Sequence, residues 1–202
     1  MSPVSHPPTH MLTDRQLVDK VLGGDMHAFG SVVGMTEGLV AQIVYKLILN
    51  EEDRKDTAQD IYLKVYQHLR NFKFQSKLST WVGQIAYNTC LNRLQKKQLS
   101  IYHPPRDPEG QEDDVRAEMF RAGDETDRGL LQKELKGILQ AEIGRLPPLY
   151  RTLIGLYHQE ELSYLEIARI TGLPEGTIKS YLFRARQQLK ETMLPFYKKE
   201  KL

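Results

Sequence analysis

The chain has 202 residues, 40% of them hydrophobic and 27% charged, which gives room for one or two modest globular domains. A net charge of +2 is too close to neutral to identify a partner, so the distribution of charge has to carry that argument. The single cysteine, Cys90, excludes an internal disulfide and fits a reducing cytoplasm. No secretion signal is expected at the start of the chain, and the greasiest stretch, 38–49, is broken by Gln42 and Lys46 and reads as too short to span a bilayer.

Residues 1–11 hold three prolines and no periodicity, and are expected to be a disordered tail. From 12 to 98 the apolar spacing is helical almost throughout. Thr13 caps a first helix whose buried stripe is Leu17, Val18, Val21 and Leu22, and Gly23, Gly24 and Asp25 end it. Ala28, Phe29, Val32 and Val33 begin a second helix. A third spans about 53–69, with Ala58, Ile61, Val65 and Leu69 facing inward. Its other stripe, Asp56, Gln59, Asp60, Leu63 and Gln67, displays a leucine among acidic and polar groups, which suits either a protein contact or a solvated face.

A loop over 71–77 carries Phe72, Lys73, Phe74 and Lys77 and leads into a fourth helix, from about 79 towards 97. Val82, Ile85, Ala86, Cys90 and Leu94 form its packed stripe. Gln84, Asn88 and Gln95 lie opposite, and Arg93, Lys96 and Lys97 have no acid nearby in sequence. Rings beside cations and amides suit unpaired bases, since rings stack on bases while cations neutralise phosphate. On spacing alone, Phe72, Phe74 and Trp81 fit equally well as core.

Residues 99–129 change character, with three prolines and no apolar stripe. Over 99–128 there are nine acidic groups against four arginines, a balance of −5, and such a segment reads as an acidic linker. A second helical domain is expected over 130–194, followed by a tail over 195–202. Leu131, Leu135, Ile138, Leu139, Ile143 and Leu146 make its first apolar set, and Pro147 and Pro148 end that helix. Leu149, Leu153, Ile154 and Tyr157 mark the next.

The segment LSYLEIARITGLPEGTIKSYLFRARQQLK, 162–190, carries the densest information. Ser163 and Glu166 form an S-x-x-E capping box, Gly172 supplies a sharp exit, and Ile178, Leu182, Ala185 and Leu189 recur at helical spacing. This is a helix-turn-helix with a basic second helix, a DNA-binding pattern, the alternative being an ordinary helical hairpin. Catalysis finds no support. The six histidines are scattered without metal-ligand spacing, Cys90 sits on an apolar stripe, and no phosphate loop, H-E-x-x-H or G-x-S-x-G run occurs. No catalytic residue, metal or cofactor is expected. The fold class is all-α: two small helical domains joined by a tether.

The blocks LTDRQLVDKVLGGDMHAF, DTAQDIYLKVY, LSTWVGQIAYNTCLNRL and LPPLYRTLIGLYHQEELSYLEIARITGLPEGTIKSYLFRARQQL occur in an order that resembles the extracytoplasmic-function sigma factors of the bacterial sigma-seventy family. The resemblance implies a dissociable RNA polymerase subunit that selects and opens promoters. It implies that Asp56, Gln59, Asp60 and Leu63 meet the clamp helices of the largest polymerase subunit, and that the second domain meets the flap of the second largest. It implies minus-ten strand binding by Phe74, Lys77, Ser79, Trp81, Asn88, Arg93, Lys96 and Lys97. It further implies minus-thirty-five reading by Thr177, Lys179, Ser180, Phe183, Arg184 and Arg186.

The chain departs from the family pattern at three places. Tyr181 stands where arginine is frequent, Asp60 where glutamate is usual, and the loop over 73–79 has no glycine. The resemblance implies that the linker threads the polymerase cleft, where its carboxylates either imitate RNA or simply keep a tether soluble. The family also implies a cytoplasmic protein restrained by an anti-sigma protein, commonly from the membrane, without inserting there itself. The competing reading is a stand-alone helix-turn-helix regulator with a helical sensory or dimerisation domain. A third is an adaptor that touches only proteins.

Overall fold

The computed structural model describes residues 12–100 and 127–199, with side chains placed over 12–96 and 135–194. The expected N-terminal tail and nearly all of the acidic linker lie outside the described residues. Among these residues there are helices and no strand. They are α1 (Asp14–Leu22), α2 (Met26–Leu47), α3 (Glu51–His68), a short 3-10 turn (Leu69–Asn71), α4 (Leu78–Ser100), α5 (Asp127–Arg145), α6 (Pro148–His158), α7 (Tyr164–Thr171) and α8 (Glu175–Lys199).

Local chemistry sets most boundaries. Thr13 and Gln16 form a reciprocal capping box at α1, and the Asp25 carboxylate accepts from the His27 and Ala28 amides at α2. Asn50 caps α3, whose first turn carries Glu51, Glu52 and Asp53 against the positive end of the helix dipole. α4 has its cap supplied from a distance: the Leu78 amide donates to Asp14 Oδ2 at 2.7 Å, tying the start of α4 to α1. α8 runs on to Lys199, into the stretch expected as a tail.

The apolar stripes pack largely as their spacing requires. Val18, Val32, Ile43, Ile61, Val65, Val82 and Ala86 form the centre of the first module, and Leu153, Leu156, Ile167, Ile178 and Leu182 that of the second. Two expected core positions are corrected. Leu22 and Leu139 are exposed, since among the described residues nothing covers their side of α1 and α5. The run at 38–49 belongs to a helix of 22 residues, long and apolar enough by length and composition to cross a membrane. Here α1, α3, α4 and α6 all pack against it.

The two modules are not separated beads on a tether. α2 packs on α6 and α4 packs on α7, so buried residues of both modules form one continuous apolar cluster. Across this seam Arg151 Nε donates to the Lys46 carbonyl at 2.6 Å, and the side chains of Gln42 and Gln159 hydrogen-bond. Gly83 makes the α4–α7 approach possible, since a Cβ there would lie 3.0 Å from Ile170 Cδ1 and 3.1 Å from Leu39 Cδ2.

Candidate nucleic-acid and polymerase interfaces

The loop before α4 and the first turns of that helix enclose a cleft of about 330 Å³, lined by Phe72, Lys73, Thr80, Trp81, Gln84 and, from α7, Arg169 among others. The aromatic residues divide between the two roles that spacing left open. Phe72 is buried and forms the floor. Phe74 and Trp81, with ring centroids 4.7 Å and 5.3 Å from it, are respectively exposed and half-buried. Phe74 takes φ +56°, the left-handed conformation that a loop without glycine must otherwise force on a side-chain-bearing residue. Arg15 lies over its ring at 4.6 Å and helps hold it. Thr80 Oγ1 is buried beside the cleft and has no hydrogen-bond partner among the described residues.

Gln84 and Asn88 are both exposed and one helical turn apart, so they extend the cleft along one face of α4. Ser79 is half-buried at the start of that helix, and Lys96 is exposed beyond Asn88. The Lys97 side chain lies outside the described residues.

Two of the expected cations are not free. Arg93 reaches Asp53 at 2.9 Å, Asp56 at 3.5 Å and Asp60 at 3.8 Å. The expectation that no acid lies near Arg93 is therefore corrected: α3 runs beside α4 and brings its acidic stripe there. The hydrogen bond from Arg93 to Asp53 raises the guanidinium's pKa further, so it is locked in the charged state. Lys77 pairs with Glu166 of α7 at 2.8 Å.

On α3, Asp56, Gln59, Asp60 and Leu63 share an exposed face. Beside it runs an apolar groove of about 460 Å³ whose walls include Met26, Phe29, Val33, Leu63 and Tyr66. The sequence reading missed Met26, Phe29 and Tyr66 at this surface. Phe29 falls by spacing in the apolar set that begins the second helix, while Met26 and Tyr66 match no stripe.

In the helix-turn-helix, Ser163 Oγ accepts from the Glu166 amide while the Glu166 carboxylate accepts from Ser163 N at 2.9 Å and from its hydroxyl at 2.7 Å. Lys77 and these Ser163 donors hold the Glu166 carboxyl at about 2. Gly172 takes φ +74° and ends α7. Ile178, Leu182 and Ala185 are fully buried, which turns Lys179, Ser180, Phe183 and Arg184 outward, with Thr177 half-buried at the edge.

Phe183 is 62% exposed, large for a ring with no structural task. Arg184 has no ion-pair partner among the described residues. Lys179 leans over the Tyr164 ring at 5.2 Å. Arg186 stacks over Tyr157 at 5.0 Å and its Nε donates to His158 Nε2 at 3.2 Å, so it is positioned by α6. Tyr181 packs on Tyr150 at 5.5 Å, a packing role where the family often places arginine.

Residues 32–99 match the family described as Sigma-70 region 2, and residues 136–189 match Sigma-70, region 4. The ECF RNA polymerase sigma-E factor of Escherichia coli is 32% identical over 197 residues, covering 95% of this chain and all of that protein. The chain belongs to the extracytoplasmic-function sigma factors of the sigma-70 family.

This sigma factor is 31% identical to the RNA polymerase sigma-H factor of Pseudomonas aeruginosa over 188 residues, 90% of this chain and 94% of the relative. It is 28% identical to the ECF RNA polymerase sigma factor SigW of Bacillus subtilis, over 89% of this chain and 96% of that one. Among solved structures, CnrH in complex with the cytosolic domain of CnrY shares the fold at a TM-score of 0.60 and 21% identity, covering 89% of this chain and 96% of that one. RpoE of Bartonella quintana, in complex with the anti-sigma factor NepR, does so at 0.57 and 24%, covering 81% and 94%. The function that follows is that of an RNA polymerase sigma factor, and a stand-alone regulator is not favoured.

Proposed function

We propose that the cleft and outer face of α4 bind the unpaired minus-ten strand, while α8 reads the minus-thirty-five duplex. What supports the first assignment is one arrangement: a ring-floored cleft, walled by the half-buried Trp81, that continues into the exposed amides of Gln84 and Asn88. A base leaving the duplex loses a few kcal/mol of stacking and pairing, roughly the scale that stacking on Trp81 or Phe74 returns. Asn88 supplies hydrogen bonds to the exposed base edge. Lys96, with Lys97, neutralises phosphate, and Ser79 meets the backbone at the helix start. Arg93 serves as a brace between α3 and α4 more than as a phosphate ligand, since its guanidinium is already held by carboxylates.

On α8, Arg184 makes a bidentate contact to guanine, Ser180 bonds a base edge, and Phe183 lies against a thymine methyl or the sugar wall. Lys179, Arg186 and Thr177 fix register on phosphate. Asp56, Gln59, Asp60 and Leu63 receive the polymerase clamp helices, and the apolar groove beside them offers Met26 and Tyr66 as further contact area. The second module meets the flap. The chain acts in the cytoplasm by binding alone, without catalysis, and is restrained by an anti-sigma protein, the kind of partner with which the similarly folded RpoE was solved.

The test is transcription with core polymerase on a genomic fragment library, with start sites mapped. Asn88→Ala is expected to leave closed-complex footprints intact and to suppress permanganate reactivity of melted thymines. Normal reactivity would remove Asn88 from the strand-binding role.

A further inference from the structure

We propose that Arg15 of α1 is a phosphate ligand for the unpaired minus-ten strand, held at the edge of the strand-binding surface by the Phe74 ring. The proposal rests on the assignment of α4 and its preceding loop to that strand, and adds a residue from a different helix. A strand that gives up a base to the cleft carries a phosphate on either side of it, and those charges need cations close by. The cations of the loop and α4 meet that need poorly. Lys77 is paired with Glu166, and Arg93 with aspartates of α3. Lys96 stands about four turns beyond Trp81, roughly 22 Å along the helix. Arg169 reaches the cleft, but from α7 of the duplex-reading module. That leaves Lys73, exposed on the cleft wall, and Arg15.

Two adjacent residues of α1 bring Arg15 to this surface. The Asp14 carboxylate accepts from the Leu78 amide at 2.7 Å, which fixes the first turn of α1 against the start of α4. The Arg15 guanidinium then lies 4.6 Å from the centre of the Phe74 ring, and Phe74 packs on Phe72 of the cleft. Arg15 is exposed and makes no ion pair among the described residues. A guanidinium whose face rests on a ring keeps its N–H edge for in-plane hydrogen bonds to phosphate oxygens.

Two local preferences are broken at this one contact. Arg15 occupies the first turn of α1, where the positive end of the helix dipole disfavours a cation. Phe74 takes φ +56°, a conformation that favours glycine. Well-folding sequences keep such conflicts mainly where function uses them, and a strand phosphate supplies the counter-charge that Arg15 lacks.

The experiment measures holoenzyme affinity across a salt series on a fork-junction DNA from a mapped promoter. The probe is duplex upstream and carries only the non-template strand across the minus-ten element. Arg15→Met keeps an apolar stem over Phe74 and removes the charge, while Arg15→Lys restores the charge. Each phosphate neutralised on a single strand adds about 0.7 to the steepness of log affinity against log salt. Arg15→Met is expected to bind roughly threefold or more weakly at about 50 mM salt, with the deficit shrinking by about 2.6-fold at about 200 mM. Arg15→Lys should keep the parent slope.

A parent slope in Arg15→Met would make Arg15 a packing residue and overturn the proposal, as would a slope that falls equally in both variants. Trp81→Ala on the same probe separates this contact from the assignment beneath it. If Trp81→Ala weakens binding while Arg15→Met does not, the Arg15 contact alone falls. If neither weakens binding, the strand-binding assignment falls and the Arg15 contact with it.

Discussion

Helices α4 and α8 each bury one apolar stripe and turn amides, rings and cations outward, yet those groups differ in how available they are. Around α4, Arg93 is held by aspartates of α3, Lys77 by Glu166, and α7 stands over part of the cleft. On α8, Phe183 is open and Arg184 has no charged partner among the described residues. A count of positive residues along the chain would rank the two surfaces alike. The structure shows that charge within a module's reach is not charge on offer, because neighbouring carboxylates decide how much of it a phosphate can claim.

The largest expected effect lies on the covered side. Trp81→Ala removes a half-buried ring from beside Phe72 and from the cleft wall, and stacking of this kind is worth about 1–3 kcal/mol per base. Promoter melting, measured by permanganate reactivity at saturating holoenzyme, should fall by roughly tenfold or more, with closed-complex footprints unchanged. A proportional loss of both would move Trp81 from strand binding to general packing. On the open side, Arg184→Ala should relax discrimination at one upstream base pair by about 1–3 kcal/mol in competition binding of holoenzyme to promoter variants. A uniform loss across all variants would make Arg184 a phosphate anchor.

How legible these surfaces were in sequence follows the same division. The recognition helix was readable because its spacing, its capping box and Gly172 are local signals, and α8 turned outward the residues that the pattern placed there. The α4 surface was legible only as a list. Nothing along the chain tells that Arg93 sits among Asp53, Asp56 and Asp60, forty to thirty-three positions earlier, since that depends on α3 and α4 lying side by side. The seam was not foreseen at all. Its glycines, Gly83 and Gly155, look in sequence like weak points of two helices, and only the partner helix reveals that they are approach points. Tyr181 shows the reverse: a departure from the family pattern explained by a ring, Tyr150, on a neighbouring helix.

A smaller effect probes the link between the two sides. Glu166 has its folded pKa depressed to about 2 from an unperturbed 4.5, first by Lys77 and then by the Ser163 hydroxyl and amide. A depressed carboxyl contributes stability that is fully present above pH 4.5 and is lost as pH falls from there towards 2. Glu166→Gln should therefore lower the melting temperature at pH 7 and narrow its gap to the parent below about pH 4, where the unfolded chain's carboxyl takes up its proton and the folded one does not. Ser163→Ala, which removes the cap and one donor to that carboxylate, should cost about 1 kcal/mol at pH 7 and less below about pH 4. A Glu166→Gln deficit that stayed constant down to pH 3, about a unit above the folded pKa, would show that the carboxylate's charge is not what holds α7 in place.

The smallest effect is the most informative about the loop. Phe74 sits at φ +56°, a conformation costing of order 1 kcal/mol for a residue with a side chain, and Gly at that position removes the strain. The same change deletes a ring packed on Phe72 and under Arg15, and it loosens the unfolded chain. These contributions oppose one another, so Phe74→Gly should change stability by well under 1 kcal/mol while weakening strand binding. Strain kept at no net gain in stability has a reason only if the ring is used, and here the exposed ring packs on Phe72, which lines the cleft. If Phe74→Gly stabilises the protein and leaves promoter melting untouched, the ring is not used, and the strand must be gripped by Trp81 and Asn88 without it.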